Sequence, residues 1–559
     1  MNVSGGEAKL LNTKHIGISN LSFSPNGKYI YYLATEDHEQ EKKERSEYLG
    51  DYEVFREEGT FQHLFRIKTK PESTLVSRPE TLTSGYEFSI FGYSLSPKGE
   101  TIAFTGGTSP GLANILTWSI YTYKIKSKNI KKIASQPGIN SGPIWSPNSK
   151  QIAYTNSKGF PYKSTLYVVS KGGGTSKALT QSFDESVNPI KWTDKGLFFG
   201  ASQRTNSFLF NLNSKSGEIK KIENPKDIIS SSYSVSDNGK TLAFKGDSAT
   251  ELSEIYIQNS GPAEKVTNSS EQIKNFKIAT REVISWLADD GTEIEGILIK
   301  PKNFRPSKQY PLYVVTHGGP KAVDRPTLSR FGRFYPLDTW AGNEAIVLQT
   351  NYRGSSGYGE AFQSLNLRNL GVGPATDILA GIKHLEALGI VDSTKIGCLG
   401  WSQGGHISAM LSTYSNVCTA AHMGAGISNW KTYYYNTDIT PFTVEYFGKT
   451  PSEDDGVYNY TSPITYIKQA ETPVLIQHGE KDPRVPIANA YEFRQALIDN
   501  GVESSFIIYK GMPHSPRRPN TLRGVITHLD EWFSHYLFDT EKPDFVSPYL
   551  PATDGKSDN

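Results

Sequence analysis

Gly400-Trp401-Ser402-Gln403-Gly404 places a serine between two glycines. This is the form of a nucleophile elbow, a strand-to-helix turn that strains the serine backbone and leaves no room for side chains two positions to either side. By itself the pattern also fits any Gly-rich turn. Chemical meaning comes from two loops further along the chain, which supply an acid in His478-Gly-Glu-Lys-Asp482-Pro-Arg484 and then a histidine in Lys510-Gly-Met-Pro-His514. A hydroxyl, a carboxylate and an imidazole together perform acyl transfer. Ser402 would attack a carbonyl carbon, His514 would take its proton, and Asp482 would fix the imidazole tautomer and steady the imidazolium. His478 is the rival base and Glu480 the rival acid, but the order of the three groups along the chain favours a structural role for His478. His528 and His535 fall on an amphipathic closing helix over residues 521–537 and need no chemical role.

The elements that must position these groups are legible around them. Residues 395–399 read as a short buried strand before the elbow, and residues 405–411 as the start of a helix after it. Apolar runs at 473–477 and 505–509 empty into the acid loop and the histidine loop, and the periodic segment 487–499 between them stops at Asn500-Gly501. An earlier run, 310–316, ends in His317-Gly318-Gly319-Pro320. Its glycines let backbone approach a substrate, so the Gly319 and Gln403 N–H groups are the candidate oxyanion donors, each worth about 3 to 4 kcal/mol of barrier. Alone, that tetrapeptide is an ordinary tight turn. Serine, acid and histidine following the carboxyl ends of strands, in that order, predict an α/β-hydrolase domain with a doubly wound, mostly parallel sheet.

The first half of the chain has another texture. Turn signals recur before runs of strand formers at Ser24-Pro-Asn-Gly, Ser96-Pro-Lys-Gly, Ser146-Pro-Asn-Ser, Thr193-Asp-Lys-Gly and Ser236-Asp-Asn-Gly. After the first interval they return with a period of roughly 45 residues, and such a period, with a hairpin in each unit, predicts an all-β propeller. Five blades are visible, and six or seven fit the length if the stretches around Ile255 and Phe276 are counted. The first interval is too long for one blade and holds a charged insertion that includes Glu57 and Glu58, read as a solvated charge run. The division is a leader over 1–14, a propeller over 15–277, a hydrolase over 278–541 and a loose tail over 542–559.

His317-Gly-Gly-Pro320, Asn351-Tyr-Arg-Gly-Ser-Ser-Gly-Tyr-Gly359, Gly400-Trp-Ser-Gln-Gly-Gly405, the Asp482 loop and Gly511-Met-Pro-His514 together resemble the prolyl oligopeptidase family of serine peptidases, and within it the acylaminoacyl-peptidase-like branch. The resemblance implies the same triad and oxyanion donors, and a propeller over the hydrolase mouth that admits short peptides and excludes folded proteins. It implies that Arg484 holds a substrate carbonyl next to the scissile bond, and that Trp430, Tyr433 and Tyr434 are candidates for the pocket of the preceding side chain. Three adjacent tyrosines, 433 to 435, cannot all face one pocket. Gln403, where the family usually has tyrosine, and His406 depart from the pattern and put the shape of the leaving-group side in question. Esterase activity on the same triad and a non-catalytic propeller binding module are the competing functions.

Lysine and arginine number 59 against 57 acidic residues, a formal charge of +2, with no basic stripe, so nucleic acid is not expected as a partner. No apolar run is long enough for a membrane span, and residues 1–14 lack a secretory core, which predicts a cytoplasmic protein with no membrane partner. A homo-oligomer is compatible with the sequence. Cys398 and Cys418 are expected as free core thiols. The spacing of potential ligands predicts no metal, and the mechanism needs no cofactor.

Overall fold

The computed structural model describes residues 15–35, 39–52, 54, 60–69, 79–328 and 334–546. Glu57 and Glu58, the leader over 1–14 and the end of the tail lie outside the described residues.

Five four-stranded antiparallel sheets form the N-terminal β-propeller. The first is built from Ile16–Phe23, Tyr29–Thr35, Gln62–Lys68 and Glu80–Thr81, and the others start at Ser89, Ile139, Asn188 and Ile229. Each repeated turn joins the first two strands of its blade, and one hydrogen-bond pattern recurs. Ser24 Oγ donates to Asn26 Oδ1 and accepts the Tyr29 N–H at 2.9 Å. Ser146 with Asn148 and Gln151, and Ser236 with Asn238 and Thr241, do the same. The serine thus replaces a backbone partner at the tightest point of the turn, which explains why it repeats. Among the described residues the blades number five, which settles a count that the sequence leaves open between five and six or seven. Ile255 belongs to the third strand of the fifth blade, Glu254–Gln258, and Phe276 is an exposed loop residue after the turn Ser269–Ile273. The insertion in the first blade carries a charged helix, Glu39–Leu49.

The C-terminal domain is an eight-stranded sheet. Its order is Thr280–Leu287, Glu293–Lys300, Ile346–Asn351, Tyr310–Thr316, Val391–Trp401, Ala420–Gly424, Val474–Gly479 and Ser504–Tyr509. The first two strands pair antiparallel, and from Ile346–Asn351 onward every pairing is parallel. Parallel strands covered on both faces must be apolar throughout, and Val314, Leu348, Cys398 and Ile476 are fully buried. Helices Val372–Ala387 and Gln403–Tyr414 pack on one face through Ile378, Ile382, Ile407 and Met410. Leu337–Gly342 and Pro519–Phe538 cover the other through Trp340, Trp532 and Phe533. This is the α/β-hydrolase arrangement that the motif order predicts.

The strand before the elbow is longer than its apolar run suggests, and the strand from Ala420 ends at Gly424 because Ala425 turns into positive φ (38°). The two cysteines are not free thiols. Parallel pairing sets Cys398 beside Ala421, the chain entering that strand brings Cys418 to a Cα separation of 5.8 Å, and the two form a disulfide. Among the described residues no helix is long and apolar enough to cross a membrane.

Candidate active site

Ser402 sits at φ 62°, ψ −123° between the strand Val391–Trp401 and the helix Gln403–Tyr414. A non-glycine residue there is strained, and the surroundings explain how it is held. A Cβ on Gly400 would collide with the carbonyl of Gly404, and a Cβ on Gly404 with the carbonyl of Thr316. Thr316 Oγ1 ties the turn further by donating to both the Leu399 and Gly404 carbonyls at 3.0 Å.

The three expected catalytic groups meet. Ser402 Oγ lies 2.9 Å from His514 Nε2, and His514 Nδ1 lies 2.7 Å from Asp482 Oδ2. With Ser402 donating, Nε2 accepts and Nδ1–H donates to the carboxylate. Asp482 is fully buried while His514 keeps about a quarter of its side-chain surface. Burial pushes the Asp482 carboxyl up, but contacts from His478 and His514 outweigh it and hold the pKa at about 2. Asp482 Oδ1 also accepts the Arg484 and Val485 N–H groups. Of the rivals, His478 sits behind the acid, its Nε2 bonding the Val485 carbonyl at 2.7 Å and standing 3.5 Å from Asp482 Oδ2, and Glu480 accepts from Lys510 and the Gly511 N–H at the surface.

The His317–Pro320 turn lies against the serine, since a Cβ on Gly318 would stand 3.2 Å from Ser402 Cβ. Gly319 and Gln403 both line the cavity there, and the Gln403 side chain turns away to the Leu370 carbonyl. The Asn351–Gly359 motif braces this turn. Tyr352 Oη donates to the His317 carbonyl, His317 Nε2 meets Ser355 Oγ, and Ser356 Oγ donates to the Lys321 carbonyl. Arg353, paired with the fully buried Asp377, fixes the motif in turn.

The cavity above Ser402 measures about 1290 Å³ and lies between hydrolase and propeller. Trp430 and Tyr433 line it, with Ile439, Phe442, Tyr446 and Val485 from the hydrolase and Phe160 from the third blade. Tyr434 is not on that wall: it packs on Tyr435 and Tyr458, and Tyr435 is exposed. Trp430 and Tyr433 are the buried residues of the helix Trp430–Asn436, and successive tyrosines on a helix point in directions about 100° apart, so 433, 434 and 435 cannot share one wall. His406 belongs to this pocket rather than to the leaving-group side. Its Nδ1–H donates to the Ile427 carbonyl at 2.8 Å, and its Nε2 accepts the Trp430 indole N–H at 3.3 Å. Burial lowers its pKa to about 4, so the ring is neutral and can accept. Arg484 lines the cavity with Nε and Nη2 on Asp438, which leaves Nη1 for a substrate.

Residues 333–540 match the family model described as Prolyl oligopeptidase family. That match spans most of the C-terminal sheet domain. The chain is 27% identical over 464 residues to a Dipeptidyl-peptidase 5 of Porphyromonas gingivalis, covering 79% of this chain and 67% of the relative. It is 32% identical over 285 residues to an Acylamino-acid-releasing enzyme of Arabidopsis thaliana, covering 48% and 36%. A second Dipeptidyl-peptidase 5, from Schizosaccharomyces pombe, is covered over 62% of its length, so the chain spans about two thirds or less of these curated relatives. In fold it is similar to the acylaminoacyl peptidase of Pyrococcus horikoshii, with TM-score 0.76 and 22% identity over 94% of this chain and 82% of that one. It is similar too to an acylaminoacyl peptidase in complex with Z-Gly-Gly-Phe-chloromethyl ketone, with TM-score 0.76 and 21% identity over 98% and 85%. The prolyl oligopeptidase signature covers the triad's three residues but not the Phe160 wall. That residue has no local signal in the sequence. Phe442 and Tyr446, four apart on the helix Thr440–Phe447, were findable as an apolar stripe.

Proposed function

We propose that this protein is a serine peptidase that cleaves short peptides through an acyl-enzyme on Ser402, of acylaminoacyl- or dipeptidyl-peptidase type. The observation that carries this reading is the unbroken hydrogen-bonded chain from Ser402 Oγ through His514 to Asp482. As Oγ bonds to the carbonyl carbon, its proton passes to His514 Nε2 and the new oxyanion is met by the Gly319 and Gln403 N–H groups. The C–N bond then breaks, and Nε2 returns the proton to the leaving amine. Water repeats the sequence in reverse and frees Ser402. Arg484 Nη1 holds a carbonyl of the acyl part, and the aromatic pocket takes the side chain before the scissile bond. The relatives' names and the peptide-derived inhibitor of the second structural neighbour support peptides as the substrate class.

Ser402→Ala should abolish labelling by a fluorophosphonate and lower turnover by roughly 10⁴-fold or more with the fold intact. Retained turnover would end the assignment. Digestion of a mixed library with free and acetylated amino termini, read by mass spectrometry, separates the two peptidase types. Turnover of simple esters with none of amides would favour an esterase instead.

A further inference from the structure

Five cationic side chains line the cavity: Lys245, Lys321, Arg325, Arg484 and Arg517. Four are engaged. Lys245 faces Asp247 at 3.3 Å, Lys321 donates to the Tyr162 carbonyl at 3.1 Å, Arg325 to Ser202 Oγ at 2.7 Å, and Arg484 to Asp438. Arg517 is exposed and, among the described residues, has no hydrogen bond or ion pair. Its position gives that free guanidinium a direction. Because His514 hands its proton to the leaving amine, the leaving group must lie on the side of His514. Arg517 is three residues further along the same loop. Phe334, Trp401 and Leu522 line the same cavity. Trp401 stacks on Phe334 with centroids 5.1 Å apart, and its indole N–H donates to the His514 carbonyl at 2.8 Å. The aromatic pair thus fixes the loop that carries both the catalytic imidazole and the arginine.

Resting on the peptidase reading above, we propose that Arg517 forms a subsite for the terminal carboxylate of a short leaving peptide. A guanidinium matches a carboxylate in two parallel hydrogen bonds. A dipeptide leaving group spans roughly 7 Å from its nitrogen, which sets its carboxylate beyond the aromatic wall. The enzyme is then selective for substrates that end soon after the scissile bond.

The test compares kcat/KM for acetyl-Phe-Ala-Ala with a free carboxylate and with a carboxamide terminus, in wild type, Arg517→Ala and Arg517→Glu. Wild type should prefer the free acid by roughly tenfold, with the preference shrinking as salt rises. Arg517→Ala should bring the ratio near one and Arg517→Glu should invert it. Both substrates are read on the same enzyme, so a partly unfolded variant does not alter the ratio. A wild-type ratio near one, or a preference that survives in Arg517→Ala, overturns the subsite. So does an equal gain from an amidated substrate with glutamate as its last residue, because the terminal carboxylate is then not what is read. Absence of hydrolysis of either peptide and of fluorophosphonate labelling sinks the peptidase reading instead.

Discussion

The floor and the roof of the cavity are held in different ways. Under Ser402, backbone presses on backbone: the glycines at 400, 404 and 405 sit where any Cβ would strike a neighbouring carbonyl. Over it, the propeller meets the hydrolase through single polar contacts, such as Lys321 on the Tyr162 carbonyl, Gln363 on the Pro161 carbonyl and the Gly357 and Gly359 N–H groups on Glu185. Phe160 adds a ring against Phe442 at 5.5 Å. The chemistry is therefore placed by contacts with no slack, whereas the shape of the cavity and access to it depend on side chains that can be changed one at a time.

Substituting the floor should have the largest effect. In Gly404→Ala the new Cβ falls on the Thr316 carbonyl oxygen and 2.9 Å from its carbon, and the elbow must open to admit it. A cost of about 3 kcal/mol in stability is expected, together with roughly a 100-fold loss in kcat/KM from the displaced nucleophile. Thermal denaturation and kinetics read both, and a variant with wild-type values would show that the floor has slack after all. One layer out, the effect should be smaller and confined to selectivity. His406→Phe keeps a planar ring, somewhat larger, but removes the acceptor of the Trp430 indole, which is fully buried, and the donor to the Ile427 carbonyl. The ring should turn and change the ratio of kcat/KM between large and small acyl-side residues by about tenfold, a range typical of a lost buried hydrogen bond. His406→Gln, which can still accept, should restore part of it. An unchanged ratio in His406→Phe would mean that packing alone orients Trp430.

The same contrast explains what the sequence reveals. Ser402, Asp482 and His514 are legible because each follows a strand whose apolar run and turn are local, and Gly400 is dictated by Gly404 four residues on, although Gly404 itself is pressed by Thr316 from a neighbouring strand. The blade turns are legible for a related reason: Ser24, Ser146 and Ser236 make their bonds within five residues. Phe160 is not, because its role comes from a blade loop meeting Thr440–Phe447, a helix of the other domain. Tyr434 is separable from Tyr433 only once the helix over Trp430–Asn436 sets their faces. The Cys398–Cys418 disulfide depends on which strands are neighbours, and strand order is a property of the whole sheet. Length alone overestimates the blade number because it cannot distinguish an inserted helix from an added strand pair.

The smallest effect should come from the seam itself. Glu185 accepts the Gly359 N–H at 2.7 Å and the Gly357 N–H at 3.2 Å. Burial raises its pKa from 4.5 to about 7, and the two glycine N–H groups only partly oppose the rise. Between those values the folded protein holds a proton that the unfolded chain has released. Stability therefore falls as pH rises through that window and is flat above it. Glutamine at 185 can still accept an N–H but does not titrate. In Glu185→Gln the decline in melting temperature between pH 5 and pH 8 should be shallower than in wild type, by a few degrees at the roughly 2 to 4 °C per kcal/mol expected for domains of this size. If the two proteins show parallel pH profiles, Glu185 does not carry this dependence.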